Sequence, residues 1–295
     1  MIDITRCVVC GGTILLKDRT CKDYTVSNEI FTLLKCASCD VVITSPRPED
    51  EALGKYYLSN AYISHAKEAT TLVDKIYTLA RNYTLGWKTN LIRKQVNNPK
   101  PSILDYGTGT GTFVGACLDK QWNALGVEPS NEARKAASEK VKSSIHQNLA
   151  NITQREFDVI TLWHVLEHIP NLRETLKDLV GKLKPGGYLF IAVPNKNSHD
   201  AKVFGDYWAG YDVPRHLWHF SQDNIKALAT AEGLTLEKIV PMKLDSYYVS
   251  LLSANYKYPN QKLINLFRGF IQGLLSNIHA TLDGEYSSLL YIIKK

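Results

Sequence analysis

Four of the six cysteines stand as two identical pairs, Cys7-x2-Cys10 and Cys36-x2-Cys39, with twenty-five residues between them. A Cys-x2-Cys turn lets two thiolates reach one tetrahedral ion, so two such pairs supply a complete zinc site with the spacing of a zinc ribbon. Gly11-Gly12, directly after Cys10, can adopt the positive φ that closes the first turn. Four thiolates leave no coordination position for water, so this metal is expected to hold the fold and not to activate a nucleophile. Cys21 and Cys117 have no partner at ligand spacing.

A second constellation is Asp105-Tyr106-Gly107-Thr108-Gly109-Thr110-Gly111, followed by Gly126-Val127-Glu128-Pro129-Ser130. Alternate glycines let the backbone turn tightly beneath a ligand and approach it closely. A dinucleotide fingerprint would need Gly or Ala three residues after its second glycine, and that position holds Thr112. The carboxylate of Asp105 better suits a ligand bearing an ammonium and a sulfonium than one bearing a pyrophosphate. Glu128, at the end of the next apolar run, can accept both hydroxyls of a ribose, with Pro129 against the base.

The third group is rich in histidine: Trp163-His164-Val165-Leu166-Glu167-His168 and Pro214-Arg215-His216-Leu217-Trp218-His219-Phe220. His164, with an ordinary pKa of roughly 6.5, suits proton abstraction near neutrality and is the first candidate base; His216 is the second. Glu167 and His168 are expected to orient their loop. His219 is expected to pack. His164-x2-Glu167-His168 also matches an inverted zinc-protease motif, a reading set aside because of what surrounds it.

Chain elements must position these groups. From Pro101 onward short apolar runs alternate with helical ones. Ile103-Leu104, Ala124–Val127, Val159–Leu162, Leu189–Val193, Leu234–Val240 and Ser288–Ile293 read as strands. Thr112–Lys120, Asn131–Lys140, Asn171–Leu183 and Gln222–Ala231 read as helices. That order implies an α/β fold with a doubly wound, mainly parallel sheet and ligands at the C-terminal strand ends. The expected organisation is a zinc-ribbon module over 1–48, a helical cap over 49–98 whose Tyr56, Tyr57 and Tyr62 could cover a ligand, and a catalytic domain over 99–295 with insertions at about 195–220 and 241–285. In the second insertion Leu263, Leu266, Phe267, Phe270, Leu274 and Ile278 form one helical face, expected to pack in the core or a dimer.

Asp105 to Gly111, Gly126 to Pro129, Phe157-Asp158-Val159-Ile160, Val165 to His168 and Leu183-Lys184-Pro185-Gly186-Gly187 occur in the order of the signatures of class I methyltransferases, which this chain resembles from about Ser102 to Val193. The resemblance implies a seven-stranded Rossmann-like sheet and S-adenosyl-L-methionine as methyl donor. Asp105, Tyr106, Gly107, Thr108, Gly109 and Gly111 would line its methionine portion together with Trp163, Glu128 and Pro129 its ribose and base, and Asn148-Leu149 its adenine. An acidic residue often stands where this chain has Asn148. Quinone O-methyltransferases with a Glu-x2-Glu-His arrangement suggest a divalent ion at His164, Glu167 and His168; histidine in the first place disfavours magnesium.

The acceptor class follows from the segment after the fifth strand, where Tyr207, Trp208, Tyr211 and Trp218 stand beside imidazoles and suit a sugar, nucleotide-sugar or quinol-like compound. Zinc-bearing N-terminal modules occur among sugar C-methyltransferases, which the chain also resembles. An RNA methyltransferase is the competing reading, since some rRNA methylases begin with a zinc module and the net charge is +6. Against it, Lys17, Arg19, Lys22 and Lys35 are scattered and form no basic and aromatic stripe. A catalytically silent donor-binding protein is a third reading, opposed by intact Asp105, Gly107, Gly109 and Glu128. Hydrophobic content of 44% and charged content of 22% exclude long disorder. The first residues lack a charged segment followed by an apolar one, and no apolar stretch of about 18 residues occurs, so a cytoplasmic protein without membrane contact is expected.

Overall fold

The computed structural model describes residues 1–57, 72–154 and 156–295, with the backbone alone for 72–81. Tyr62 lies outside the described residues. The main sheet has seven strands in the order β10-β11-β8-β7-β4-β5-β6. These are β4 Ser102–Tyr106, β5 Asn123–Val127, β6 Ile145–His146, β7 Phe157–Trp163, β8 Leu183–Pro194, β10 Thr235–Pro241 and β11 Ser288–Lys294. β11 pairs antiparallel with both β8 and β10, while the pairs β4·β5, β4·β7, β5·β6 and β7·β8 are parallel. The expected doubly wound, mainly parallel sheet is therefore present. β6, only two residues long, carries too short a pattern to stand out in the sequence.

Near-continuous apolar runs are what strands covered on both faces require. Along β7, Val159 faces one core layer and Ile160 and Leu162 the other; along β8, Phe190 and Ala192 face the first and Ile191 and Val193 the second. Helix α2, Leu72–Gln95, and helix α3, Thr112–Asp119, cover the first layer through Ile92, Phe113, Val114 and Cys117. Helices α6, Leu172–Gly181, and α8, Gln222–Ala231, cover the second. α6 buries Leu172, Leu176 and Leu179 at spacings of four and three, and α8 starts from a reciprocal capping box between Ser221 and Asn224. The helix expected over Asn131–Lys140 is two pieces, α4 Asn131–Ala136 and α5 Glu139–Lys142, because Ala137 and Ser138 are extended between them.

The N-terminal segment forms a second sheet, order β1-β2-β3-β9, of β1 Leu15–Lys22, β2 Ile30–Cys36, β3 Val42–Thr44 and β9 Trp218–His219. β9 belongs to the loop after the fifth strand of the main sheet. Its backbone pairs antiparallel with β3, Val42 opposite His219 and Ile43 opposite Trp218. Cys7, Val9, Cys36, Val41 and Ile43 share one apolar cluster with Leu104, Phe157 and Ile160. Sequence reasoning set the ribbon apart at residue 48. Packing joins it to the second core layer.

The insertion after β10 is a helical pair, α9 Asp245–Lys257 and α10 Lys262–Asp283. A Cβ at Gly269 would lie 2.6 Å from Leu251 Cα, and one at Gly273 2.7 Å from Tyr247 Cα, so the two backbones touch through glycine. The large apolar residues of α10 point elsewhere. Phe267 is 69% exposed and Phe270 59%, so this face is not core. Among the described residues no helix is long and apolar enough to cross a membrane.

Candidate active site

β4 ends in a turn built on left-handed glycines. Gly107, Gly109 and Gly111 have φ of 74°, 57° and 74°. A Cβ on Gly107 would stand 2.5 Å from Val165 Cγ2, so that position must be glycine for space as well as for conformation. A Cβ on Gly109 would meet nothing within 4 Å, so that side of the backbone faces open space that a ligand can enter. Gly109 N–H donates to Glu128 Oε2 at 2.8 Å and Ser130 N–H to Oε1 at 2.8 Å, which fixes the carboxylate at the end of β5 beside the turn.

Asp105 is buried under the turn and accepts from Thr161 Oγ1 at 2.7 Å. Burial pushes its carboxyl up to about 6. Lys88, on α2, lies 4.1 Å over the Trp163 ring, and its burial brings the ammonium down to about 8 against the pull of Asp105 and Asp245. Phe113 meets Trp163 edge-on at 5.4 Å. Tyr106 and Leu149 are partly buried against the second core layer, and Thr108 packs over Gly126. The side chain of Asn148 accepts from Asn151 N–H at 3.0 Å and caps a short turn after β6. Pro129 follows Glu128, and its carbonyl accepts from Arg134 at 2.7 Å. All eleven residues expected to hold the donor thus lie at the C-terminal ends of β4, β5, β6 and β7. Lys88 was not foreseen, because nothing in the periodicity of α2 distinguishes it from a solvent-facing lysine.

The histidines gather on the other side of the same strand ends. His164 has φ of 56°, and its N–H donates to Ala192 O at 2.9 Å, which turns the ring away from the strand direction. Its Nε2 meets Asp245 Oδ2 at 3.1 Å and its Nδ1 lies 3.5 Å from Glu167 Oε1. Burial alone would lower the pKa of His164, but the two carboxylates raise it to about 9. The expected free base near 6.5 is instead an imidazole with both nitrogens engaged. Asp245 escaped the sequence reading because it arrives from the C-terminal insertion.

Glu167, assigned an orienting role from sequence, is the centre of the cluster. It is 1% exposed, and neither carboxylate oxygen has a hydrogen-bond partner among the described residues. Burial would raise its pKa, but His164 and the neighbouring imidazoles hold it below the usual range. His216 Nε2 lies 4.0 Å from Glu167 Oε1, while its Nδ1 is 2.8 Å from Gly210 O. His168 Nδ1 lies 3.0 Å from Arg215 O and 3.0 Å from Tyr57 Oη, and burial followed by His216 brings its pKa down to about 4. Both rings set Nδ1 against a backbone carbonyl oxygen. His164 and His216 flank the Glu167 carboxylate, at 3.5 and 4.0 Å from Oε1.

Glu167, His168 and His216 offer ligand atoms all within 4.8 Å of one another. Two imidazoles and a carboxylate suit a borderline ion such as zinc better than magnesium. The set differs from the triad of His164, Glu167 and His168 that the resemblance suggested by holding His216 in place of His164. His219 packs as expected, its Nε2 3.1 Å from Thr44 Oγ1. Arg215, 1% exposed, ties the loop to the ribbon by bonds to Asp212 Oδ1 at 2.7 Å, Asp23 Oδ1 at 3.0 Å and Tyr56 O at 2.9 Å.

In the ribbon the Sγ atoms of Cys7, Cys10, Cys36 and Cys39 all lie within 4.8 Å of one another, with Cys7 to Cys39 at 3.4 Å and Cys10 to Cys36 at 3.6 Å. A tetrahedral zinc with Zn–S bonds of about 2.3 Å spaces its sulfurs by roughly 3.8 Å, and the four thiols fit that ion. 

Comparison with known proteins agrees with this geometry. Residues 78–239, more than half of the chain, match the family described as a methyltransferase domain. A ubiquinone biosynthesis O-methyltransferase of Pseudomonas fluorescens (strain SBW25) is 23% identical over 194 residues, 60% of this chain and 81% of that protein. A second, from strain Pf0-1, is 25% identical over 196 residues, 60% of this chain and 84% of its own length. Among solved structures, magnesium protoporphyrin IX methyltransferase from Synechocystis PCC 6803, with bound SAH, superposes over 83% of this chain and all of its own with a TM-score of 0.55 at 12% identity, a likeness of fold. The match over β4 to β10 and the strand-end site it encloses make this chain a member of the methyltransferase domain family.

Proposed function

We propose that the protein transfers a methyl group from S-adenosyl-L-methionine to a small-molecule acceptor bearing hydroxyl groups, a sugar, nucleotide-sugar or quinol-like compound, and that zinc held by Cys7, Cys10, Cys36 and Cys39 stabilises the ribbon. The observation that carries the acceptor assignment is Glu167: a buried carboxylate beside the donor turn that accepts no hydrogen bond among the described residues, with His164 Nδ1 3.5 Å from Oε1, is placed to take hydrogen-bond donors from a ligand.

On the donor side, Asp105 attracts the ammonium of the methionine portion, Lys88 its carboxylate, and Glu128 the ribose hydroxyls. Gly107 and Gly109 let the chain pass beneath, with Tyr106, Thr108, Gly111 and Trp163 around the methionine portion. Pro129, Asn148 and Leu149 border the adenine. On the acceptor side, Glu167 holds a hydroxyl between His164 and His216. A bond forms from the acceptor to the methyl carbon as the methyl–sulfur bond breaks, and the electron pair leaves on the sulfur of adenosylhomocysteine. The acceptor proton passes to the imidazole–carboxylate cluster. Positioning supplies much of the acceleration, because the sulfonium is already activated. Should the cluster bind an ion through Glu167, His168 and His216, that ion would polarise the acceptor hydroxyl.

The test is a turnover screen of quinols, sugars and nucleotide-sugars for adenosylhomocysteine, run with donor calorimetry. Donor binding with turnover of a hydroxylated acceptor supports the reading. Turnover of RNA alone, or no donor binding by folded protein, overturns it.

A further inference from the structure

α10 divides its circumference among three kinds of side chain. One side, Gly269, Gly273, Ser276 and Ala280, is small and buried against the body of the protein. A narrow polar stripe holds Arg268, Gln272 and His279. The remaining half-cylinder is apolar and faces solvent over the whole length of the helix: Leu263, Phe267, Phe270, Leu274, Ile278 and Leu282 recur at intervals of three and four, with exposures from 40% to 86%. We propose that this face is the interface of a two-fold homodimer, in which α10 lies antiparallel against α10 of a second copy.

Area argues for a protein partner. At roughly 150–250 Å² for a large side chain, the exposed apolar residues of α10 present on the order of 1,000 Å². The largest apolar patch of a typical monomer covers about 300–600 Å², whereas a stable interface takes about 800 Å² from each partner. The patch on α10 alone reaches that size. A straight apolar helix face is also its own complement under a two-fold axis, which here passes between Ile271 and Leu274 and sets Leu263 against Leu282 of the partner subunit.

Charge argues against a lipid surface. A helix lying in a membrane interface presents a polar face rich in Lys and Arg. α10 has two such residues over its whole length, Lys262 in the first turn and Arg268, whose guanidinium is committed to the protein, 4.2 Å over the Tyr258 ring and bonded to Gln261 Oε1 at 2.6 Å. His279 stacks on His199 at 3.8 Å. Neither Arg268 nor His279 is free to meet a headgroup.

Sedimentation equilibrium of the zinc-loaded full chain tests the assignment, with vesicle flotation in parallel. The wild type is expected to be a dimer, and the Phe267→Glu, Phe270→Glu double variant a monomer with unchanged donor affinity. Should that variant fail to fold, cysteine placement decides: Leu274→Cys, beside the axis, should be joined to its copy by a short bis-maleimide. Leu263→Cys should be joined only when mixed with Leu282→Cys. A monomeric wild type, a dimer untouched by the double variant in which Leu274→Cys does not cross-link, or flotation of monomers with vesicles would each overturn the proposal.

Discussion

The two halves of the proposed active site are assembled in opposite ways. The donor half is built mostly from short runs at the ends of adjacent strands: Asp105 to Gly111 after β4, Glu128 after β5, Asn148 after β6 and Trp163 at the end of β7. The acceptor half is built from pieces that meet only in the folded chain. Tyr57 comes from the N-terminal region, Glu167 and His168 from the turn after β7, His216 from the loop after β8, and Asp245 from the C-terminal insertion. A site made of contiguous residues obliges its backbone to leave a written pattern. A site made of converging residues does not. In the donor half Glu128 accepts two backbone N–H groups while Thr108 Oγ1 and Trp163 Nε1 have no hydrogen-bond partner among the described residues; in the acceptor half Glu167 accepts no hydrogen bond and faces His164 Nδ1 at 3.5 Å.

Substitutions that separate turnover from donor binding test this contrast most directly. Glu167→Gln should lower kcat about 10²–10⁴-fold, the usual size of a lost catalytic acid–base group, with donor affinity by calorimetry unchanged. A parallel loss of donor affinity would merge the halves and break the comparison. The converse should hold on the other side: Asp105→Ala or Glu128→Ala removes charge-assisted bonds worth about 1.5–3 kcal/mol, so the donor Kd should rise roughly 10- to 100-fold. Near-native affinity in both variants would mean that the donor pocket lies elsewhere.

Smaller effects sharpen the division. Because both nitrogens of His164 are engaged, His164→Asn should cost about tenfold in kcat, and Asp245→Asn should reproduce the loss; a fall of 10³-fold or more would restore His164 as the base. Zinc removal, or Cys36→Ser, should reduce turnover about tenfold and donor affinity far less, since β3 supports β9 and the His216 loop. Equal losses in both readouts would show that the ribbon stabilises the whole chain indifferently.

The smallest expected effect is a pH trend with opposite signs for ligand and fold. Asp105, pushed up to about 6 by burial, must lose its proton to attract the donor, so donor affinity should fall as pH drops through about 6. In the donor-free protein a carboxyl raised above its unfolded pKa contributes stability that is present at low pH and lost as pH rises through about 6. Asp105→Asn should therefore gain Tm relative to the wild type as the pH rises from the ordinary value of 3.8 to about 6 and keep that gain above it, while its donor affinity becomes insensitive to pH.

These differences follow the legibility of the sequence. Alternating core layers, the glycine turn and the four thiols could be read because period-two patterning, positive φ and ligand spacing are local constraints. Lys88 could not, since its meaning depends on Trp163 lying 4.1 Å away. The central place of Glu167 was missed for a similar reason: burial to 1% and the absence of partners are properties of the surroundings, not of a Glu-His pair. The apolar face of α10 was read as a face, but only the glycines packed on α9 reveal that it looks outward.

The pairing of β3 with β9 also bears on the order in which the molecule comes into being. Thr44 and His219 are separated by 175 positions, so the edge of the ribbon cannot be sealed until the segment carrying His219 has left the ribosome. Until then β3, preceded by the four thiols, waits with one edge of its backbone open beside an unfinished sheet. Zinc held by the four thiols as proposed would, if captured early, keep that segment in register and the thiols from oxidation during the wait.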